Sequence, residues 1–136
     1  ALQIAGENAM DNGVDIVFLE ADILSIEGLK DKFDVIVSNP PYVRELEKLE
    51  MKNNVVEHEP GLALFVSDGD PLIFYKKITR FALSHLKKGG VLFFEINQYL
   101  GEEMKQLLEA ENFSEIELRK DMFGNDRMLK GQLDPK

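Results

Sequence analysis

The chain has 136 residues, room for one domain at ~100–200 residues each, and sets 16 Lys and Arg against 25 Asp and Glu for a formal charge of −9. That acidic balance repels a phosphate backbone and disfavours a stand-alone nucleic-acid binder, while a hydrophobic content of 44% is too high for a disordered segment. The absence of cysteine excludes disulfides, thiolate zinc sites and a cysteine nucleophile and fits a reducing compartment, and no apolar run approaches the ~20 residues of a membrane span.

Leu2, Ala5, Ala9 and Met10 recur at helical spacing, and Asn12-Gly13 supplies a stop. The chain thus opens inside a helix, with neither an initiating Met nor a basic leader, and reads as a piece of a longer protein. Val14–Leu19 is predicted as a strand ending at Glu20-Ala21-Asp22, and Asp34–Ser38 as a second, apolar enough to be covered on both faces. Asn39–Asp70 holds three of the five prolines and is too long for an idle connection. Pro71–His85 is predicted as a helix whose apolar face is Leu72, Phe74, Ile78, Phe81, Ala82 and His85, stopped by Lys87-Lys88-Gly89-Gly90. Val91–Ile96 is a strand, Leu100–Ala110 a helix, and Phe113–Arg119 and Arg127–Gly131 the last strands. Strands alternating with helices predict a doubly wound α/β sheet, whose ligands bind beyond the carboxyl ends of the strands. The polar residues at such ends are Asp22, Ser38-Asn39 and Glu95-Asn97.

Asn39-Pro40-Pro41-Tyr42 carries the most chemistry. Two successive prolines fix two φ angles and remove two N–H donors, so the carbonyls there are left to accept from a ligand. Asn39 adds a side-chain carbonyl and Tyr42 a flat aromatic face, which together form a slot for a planar group bearing N–H₂. The nitrogen of such a group is a poor nucleophile because its lone pair is delocalised. Accepting both hydrogens in a fixed geometry helps it pyramidalise toward an electrophile, which is catalysis by positioning and electrostatics. The bland alternative is a rigid turn, and a turn alone does not account for the motif's place directly after a buried strand.

Val37-Ser38-Asn39-Pro40-Pro41-Tyr42-Val43, Glu59-Pro60 with Ala63-Leu64, Asp68-Gly69-Asp70-Pro71-Leu72 with Tyr75, Lys88-Gly89-Gly90 with Glu95, and Asp121 with Gly124 and Asp126-Arg127 together resemble the C-terminal part of the HemK/PrmC-type protein-(glutamine-N5) methyltransferases, over essentially the whole chain. The resemblance implies a class I S-adenosylmethionine-dependent (Rossmann-like) sheet, N-terminally truncated, closing on an antiparallel hairpin. It implies methylation of the glutamine side chain in the Gly-Gly-Gln motif of peptide chain release factors, hence a cytoplasmic protein of translation termination. Residue by residue, it implies that Asn39 and the Pro40 carbonyl hold the glutamine amide and Tyr42 packs on it. Pro41 and Glu59 would complete the substrate pocket, and Asp22, Ile23 and Asn39 would lie against the cofactor. The family's glycine after the strand ending at Glu95 is Asn97 here. The family's glycine-rich cofactor loop has no counterpart, since none of the ten glycines is spaced Gly-x-Gly. Residues 1–136 are therefore expected to be a partial catalytic domain, lacking the first two strands and the N-terminal helical domain, weak or silent toward S-adenosylmethionine and inactive by itself. In the family's strand order 3-2-1-4-5-7-6, Val14–Leu19 would be orphaned: it frays, pairs with Asp34–Ser38, or pairs with another copy, which predicts self-association through an uncovered edge.

Other residues have plainer readings. Glu57-His58-Glu59 cannot turn all three side chains to one ion without a special loop, so no metal is expected. His85 is a helix-end dipole partner or buried filler, Asp126-Arg127 a surface ion pair in the last hairpin, and Glu45, Glu47, Lys48, Glu50 and Lys52 a solvated face or lid. Two other functions stay open on the residues: amino-methylation of adenine or guanine in DNA or RNA, which uses the same slot on a flipped base, and a non-enzymatic α/β binding module.

Overall fold

The structure, a computed structural model, describes residues 1–44, 47 and 64–135. Helix α1 spans Leu2–Asp11 and ends as the sequence predicts, with Gly13 at φ +62° and the Val14 amide donating to the Ala9 carbonyl. Strand β1, Phe33–Ser38, pairs in parallel with β4, Leu86–Glu95, while β4 and β5, Phe113–Lys120, each pair antiparallel with β6, Asp126–Leu133. The sheet order is β1-β4-β6-β5, and a separate two-stranded parallel ladder joins β2, Val43–Arg44, to β3, Phe65–Val66.

Helices α2, Ile73–His85, and α3, Gly101–Ala110, cover one face of the large sheet. Tyr75, Ile78 and Ala82 of α2 and Met104 and Leu108 of α3 bury against Leu92, Phe94 and Leu129. The Tyr75 and Phe94 rings meet edge to face at 5.2 Å, an arrangement worth about 0.5–1.5 kcal/mol beyond burial. Strand side chains alternate between faces, so the register that aligns Val37 with Phe93 and Glu95 with Met128 gathers those residues with Val35 on the opposite face. That face is open among the described residues, and Val37 is 74% exposed.

Several expectations are corrected. Val14–Leu19 is not a strand: no described strand runs beside it, its backbone has no ladder to join, and Val17 is 95% exposed. Asp34–Ser38 is a strand covered on one face only, because among the described residues helices pack on one side of the sheet alone. Helix α2 begins at Ile73 rather than at Pro71, after a turn closed by the Ile73 amide on the Asp70 carbonyl. Its buried face is Tyr75, Ile78, Thr79, Ala82 and His85, so Tyr75 takes the central place expected of Phe74. Lys87–Gly90 does not stop that helix, since Leu86 is already extended (φ −76°, ψ 144°) and β4 begins there. The lysines and glycines form an irregularity instead, where the pairing slips from Phe33 opposite Leu86 to Val35 opposite Val91. Gly89 takes φ +75°, which a glycine adopts without strain, and a Cβ on Gly90 would lie 2.8 Å from the Lys87 carbonyl oxygen.

His85 is the buried filler the sequence suggests, with one addition. Its ring stacks on Phe81 at 4.0 Å, and its Nε2 accepts the Leu29 amide at 2.8 Å. Nδ1, 2.8 Å from the Phe81 carbonyl, then carries the proton, and the ring ties the 22–30 loop to the end of α2. No described helix is long and apolar enough to cross a membrane.

Candidate active site at the carboxyl ends of β1 and β4

A strand that ends in Asn-Pro-Pro leaves the sheet at once, because neither proline can donate to a ladder. The turn so formed separates two clefts. On the open face, exposed Asn39 lies at the rim of a cleft of about 590 Å³ bordered by Val37, Phe93, Glu95, Met128 and Lys130. On the helical side, Pro40 and Pro41 line a smaller cleft of about 300 Å³ with Ile23, Ile36, Phe74 and Phe81. Among the described residues the Asn39 side chain has no hydrogen-bond partner, whereas Tyr42 is held at both ends.

The Tyr42 hydroxyl donates to Glu95 Oε1 at 2.6 Å, and its carbonyl accepts from Asn97 Nδ2 at 2.9 Å. Arg127 Nη1 donates to the same hydroxyl at 3.4 Å and to the Ile96 carbonyl at 3.2 Å, with its guanidinium 5.9 Å from the Tyr42 ring centre. The far side of Arg127 meets Asp121 Oδ2 at 3.3 Å. Burial, then the hydrogen bond and charge of Glu95, push the Tyr42 phenol up to about 12 against a smaller opposing pull from Arg127. Tyr42 is therefore a neutral donor at physiological pH. Tyr75 closes the rear, its hydroxyl donating to the Glu95 carbonyl at 3.1 Å, and burial raises its phenol above the ordinary tyrosine range.

The sequence-predicted residues fall unevenly around this corner. Asn39, Pro40, Pro41 and Tyr42 form it, and Ile23 reaches the two prolines across the smaller cleft. Asp22 is exposed and shapes its own turn, its Oδ1 accepting the Leu24 amide at 2.9 Å. Glu59, with Glu57-His58, lies outside the described residues, as do Glu45, Lys48, Glu50 and Lys52. Glu47 is not solvated: it accepts from Asn97 Nδ2 at 2.9 Å and pairs with Arg44. The expected Asp126–Arg127 pair is replaced, since Arg127 turns inward to Asp121 and Tyr42 while Asp126 meets Lys120 at 3.0 Å. Alternation explains the swap, because neighbours on one strand face opposite ways.

Glu95 and Asn97 stand at a strand end that the sequence marks for the site and Arg127 in a pair it assigns to the surface, but their convergence on Tyr42 is not legible in it. Polar strand ends at Glu95 and Asn97 were a signal, but the partnership with a tyrosine 53 positions away is a product of the β1–β4 pairing. Asn97, only 2% exposed, acts through its side chain, which ties Tyr42 and Glu47 together and caps the Tyr99 amide. Among the described residues no group of three His, Cys, Asp or Glu side chains could hold a metal ion.

S-adenosylmethionine is fitted on one side only. The chain offers a free strand-end asparagine and an apolar wall at Ile23, Pro40 and Pro41. The Gly-x-Gly turn that the resemblance leads one to expect at the methionine end is missing from the sequence.

Comparison with known proteins follows the same outline. The family model described as Eco57I restriction-modification methylase matches residues 3–117. The release factor glutamine methyltransferase of Flavobacterium psychrophilum is 58% identical over 130 residues, covering 96% of this chain and 46% of the relative. That of Bacteroides thetaiotaomicron is 45% identical, covering 95% and 47%. The chain thus spans about half the length of the curated relatives it matches. Among solved structures, an S-adenosylmethionine-dependent methyltransferase from Clostridium acetobutylicum superposes with a TM-score of 0.59 at 16% identity, covering 98% of this chain and 71% of the other. TrmN from Thermus thermophilus superposes with a TM-score of 0.56 at 20% identity, covering 97% and 33%. These likenesses fix the fold as that of class I S-adenosylmethionine-dependent methyltransferases, its mixed sheet ending in the antiparallel β5–β6 hairpin. The chain belongs to the Eco57I restriction-modification methylase family, and nearly all of it is similar to the release factor glutamine methyltransferases of the two organisms named above.

Proposed function

We propose that this chain is the C-terminal part of the catalytic domain of a protein-(glutamine-N5) methyltransferase, whose substrate is the Gly-Gly-Gln glutamine of peptide chain release factors. The observation that carries the reading is the rigid Asn39–Tyr42 corner, with Tyr42 tethered at hydroxyl and carbonyl and Asn39 left unpaired among the described residues at a cleft rim. The names of the relatives at 58% and 45% identity support the substrate.

In this reading Asn39 Oδ1 accepts one hydrogen of the glutamine amide, the Pro40 carbonyl accepts the other, and the Tyr42 ring lies against the amide plane. Both hydrogens are then fixed, the nitrogen lone pair is withdrawn from resonance, and the proton released on alkylation leaves to solvent. Bound S-adenosylmethionine would supply a sulfonium methyl group as the electrophile. Pro41 and Glu59 belong to the substrate pocket, and Asp22, Ile23 and Asn39 to the cofactor side. An acidic chain of net charge −9 suits a protein substrate with a basic patch better than a nucleic acid. A cytoplasmic location belongs to the same reading: release factors as substrates support it, and a cysteine-free sequence agrees with it.

The family model's own description favours a second reading, amino-methylation of a base in DNA or RNA, because the same slot accepts an exocyclic N–H₂. One assay separates them: transfer of a labelled methyl group by the complete protein to a release factor or to an oligonucleotide. Transfer to the release factor, falling about 10²–10³-fold in Asn39→Ala, is the expected result. Transfer to the oligonucleotide alone supports the second reading, and no transfer to either supports a binding module.

A further inference from the structure

The β5–β6 turn, Asp121–Asn125, ends in two large apolar side chains that touch little of the protein. Met122 is 91% exposed and Phe123 81%. A floppy tip would explain this cheaply, but the turn is well fixed. Asp121 Oδ1 accepts the amides of Phe123 at 2.9 Å and Asn125 at 3.1 Å, and the Asp121 amide donates to the Asn125 carbonyl at 2.8 Å. Gly124, at φ +83°, donates to the Asp121 carbonyl at 3.0 Å, and Lys120 spans the base of the turn to the Gly124 carbonyl and Asp126.

Position gives the turn its meaning. Strand β6 starts beside the end of β4, Met128 opposite Glu95, so the turn projects past the carboxyl ends of β1 and β4, the same end of the sheet that carries Asn39 and Tyr42. It is also joined to that corner by a charged link. Asp121 shapes the turn with one carboxylate oxygen and holds Arg127 with the other, and Arg127 reaches the Tyr42 hydroxyl.

We infer that this turn is a docking finger for the polypeptide that carries the acceptor glutamine, with Met122 and Phe123 as its apolar contacts; the inference rests on the function proposed above. A glutamine held in a narrow slot leaves its flanking residues to run across the rim, and an extended chain advances ~3.3–3.6 Å per residue, so a few residues suffice to reach a neighbouring turn. Aromatic and methionine side chains are enriched at the centres of protein interfaces, and a tip already fixed in shape loses little conformational freedom on contact. The occupant is polypeptide rather than nucleic acid because the protruding groups are aliphatic and aromatic on an acidic chain.

The test is steady-state methylation of a release factor by the complete protein carrying Met122→Ser with Phe123→Ser. The KM for the release factor is expected to rise at least about tenfold, the effect of losing two partly buried apolar contacts, with the KM for S-adenosylmethionine and the thermal midpoint unmoved. Met122→Leu with Phe123→Tyr is expected to restore the release-factor KM. An unchanged release-factor KM overturns the inference. So does a lowered midpoint with no change in KM, which would mean that another part of the longer protein covers the tip. If the unmutated protein transfers no methyl group to the release factor, the proposed function itself fails, and that result is distinguishable from the other two.

Discussion

Tyr42 is more securely held than a residue whose only task is to stack on substrate would need. Its phenol ionises at about 12 in the folded chain against ~10 in an unfolded one, because burial and the neighbouring Glu95 carboxylate disfavour the phenolate. A raised value means the folded state favours the protonated form. Its contribution to stability is complete below pH ~10 and is lost as pH rises through about 12. Alkaline unfolding of Tyr42→Phe should therefore be less steep across that window than that of the unmutated chain, with a residual slope from Tyr75, whose phenol is also raised. Superimposable curves would count against a tethered Tyr42. At neutral pH the same variant should lose about 1–3 kcal/mol in urea, as for a hydrogen bond to a charged acceptor.

At the level of elements, the irregular start of β4 decides whether β1 has a partner. Gly90 lies where the backbone of β4 passes close to that of β1: an added Cβ would meet the Lys87 carbonyl oxygen at 2.8 Å and the Asp34 carbonyl oxygen at 3.1 Å. Neither is a side-chain end that can swing aside. Gly90→Ala should cost about 1–3 kcal/mol, read as a lower urea midpoint, with amide-exchange protection falling first in β1. Uniform loss of protection across all four strands would point instead to a global effect. This segment also marks where the sequence stopped being legible. Lys-Lys-Gly-Gly after an amphipathic stretch carries the signals of a helix end, cations and left-handed glycine, but the same glycines serve a strand that must bulge, and periodicity cannot tell the two apart. The strands from Val91 onward, helix α3 and the hairpin were readable because their apolar residues recur at the period of the element they form. Asn39–Tyr42 was readable because two prolines leave the backbone few choices. The partners of Tyr42 were not readable, since Glu95, Asn97 and Arg127 come to it through strand pairing and not through local sequence.

For the molecule as a whole, one face of the sheet and the β1 edge remain open among the described residues, and Val14–Leu19 has no ladder. Uncovered apolar strand edges recruit other strands, so light scattering should find the mean mass of this chain rising with concentration. A strictly monomeric chain at high concentration would contradict that. The same incompleteness bears on ligand binding. With no Gly-x-Gly turn in the sequence, calorimetric titration of this chain with S-adenosylmethionine should show no micromolar affinity, and a micromolar isotherm would mean that a different set of residues cradles the cofactor.

The contact between Arg127 and the Tyr42 hydroxyl joins positions 85 apart in the chain. During synthesis at roughly 5–20 residues per second, the tyrosine leaves the ribosome several seconds before the arginine that helps orient it. A nascent chain stalled between Tyr42 and the last hairpin would carry the whole Asn-Pro-Pro-Tyr signature with only part of its bracing, so the corner is fully braced only once Arg127 has been made.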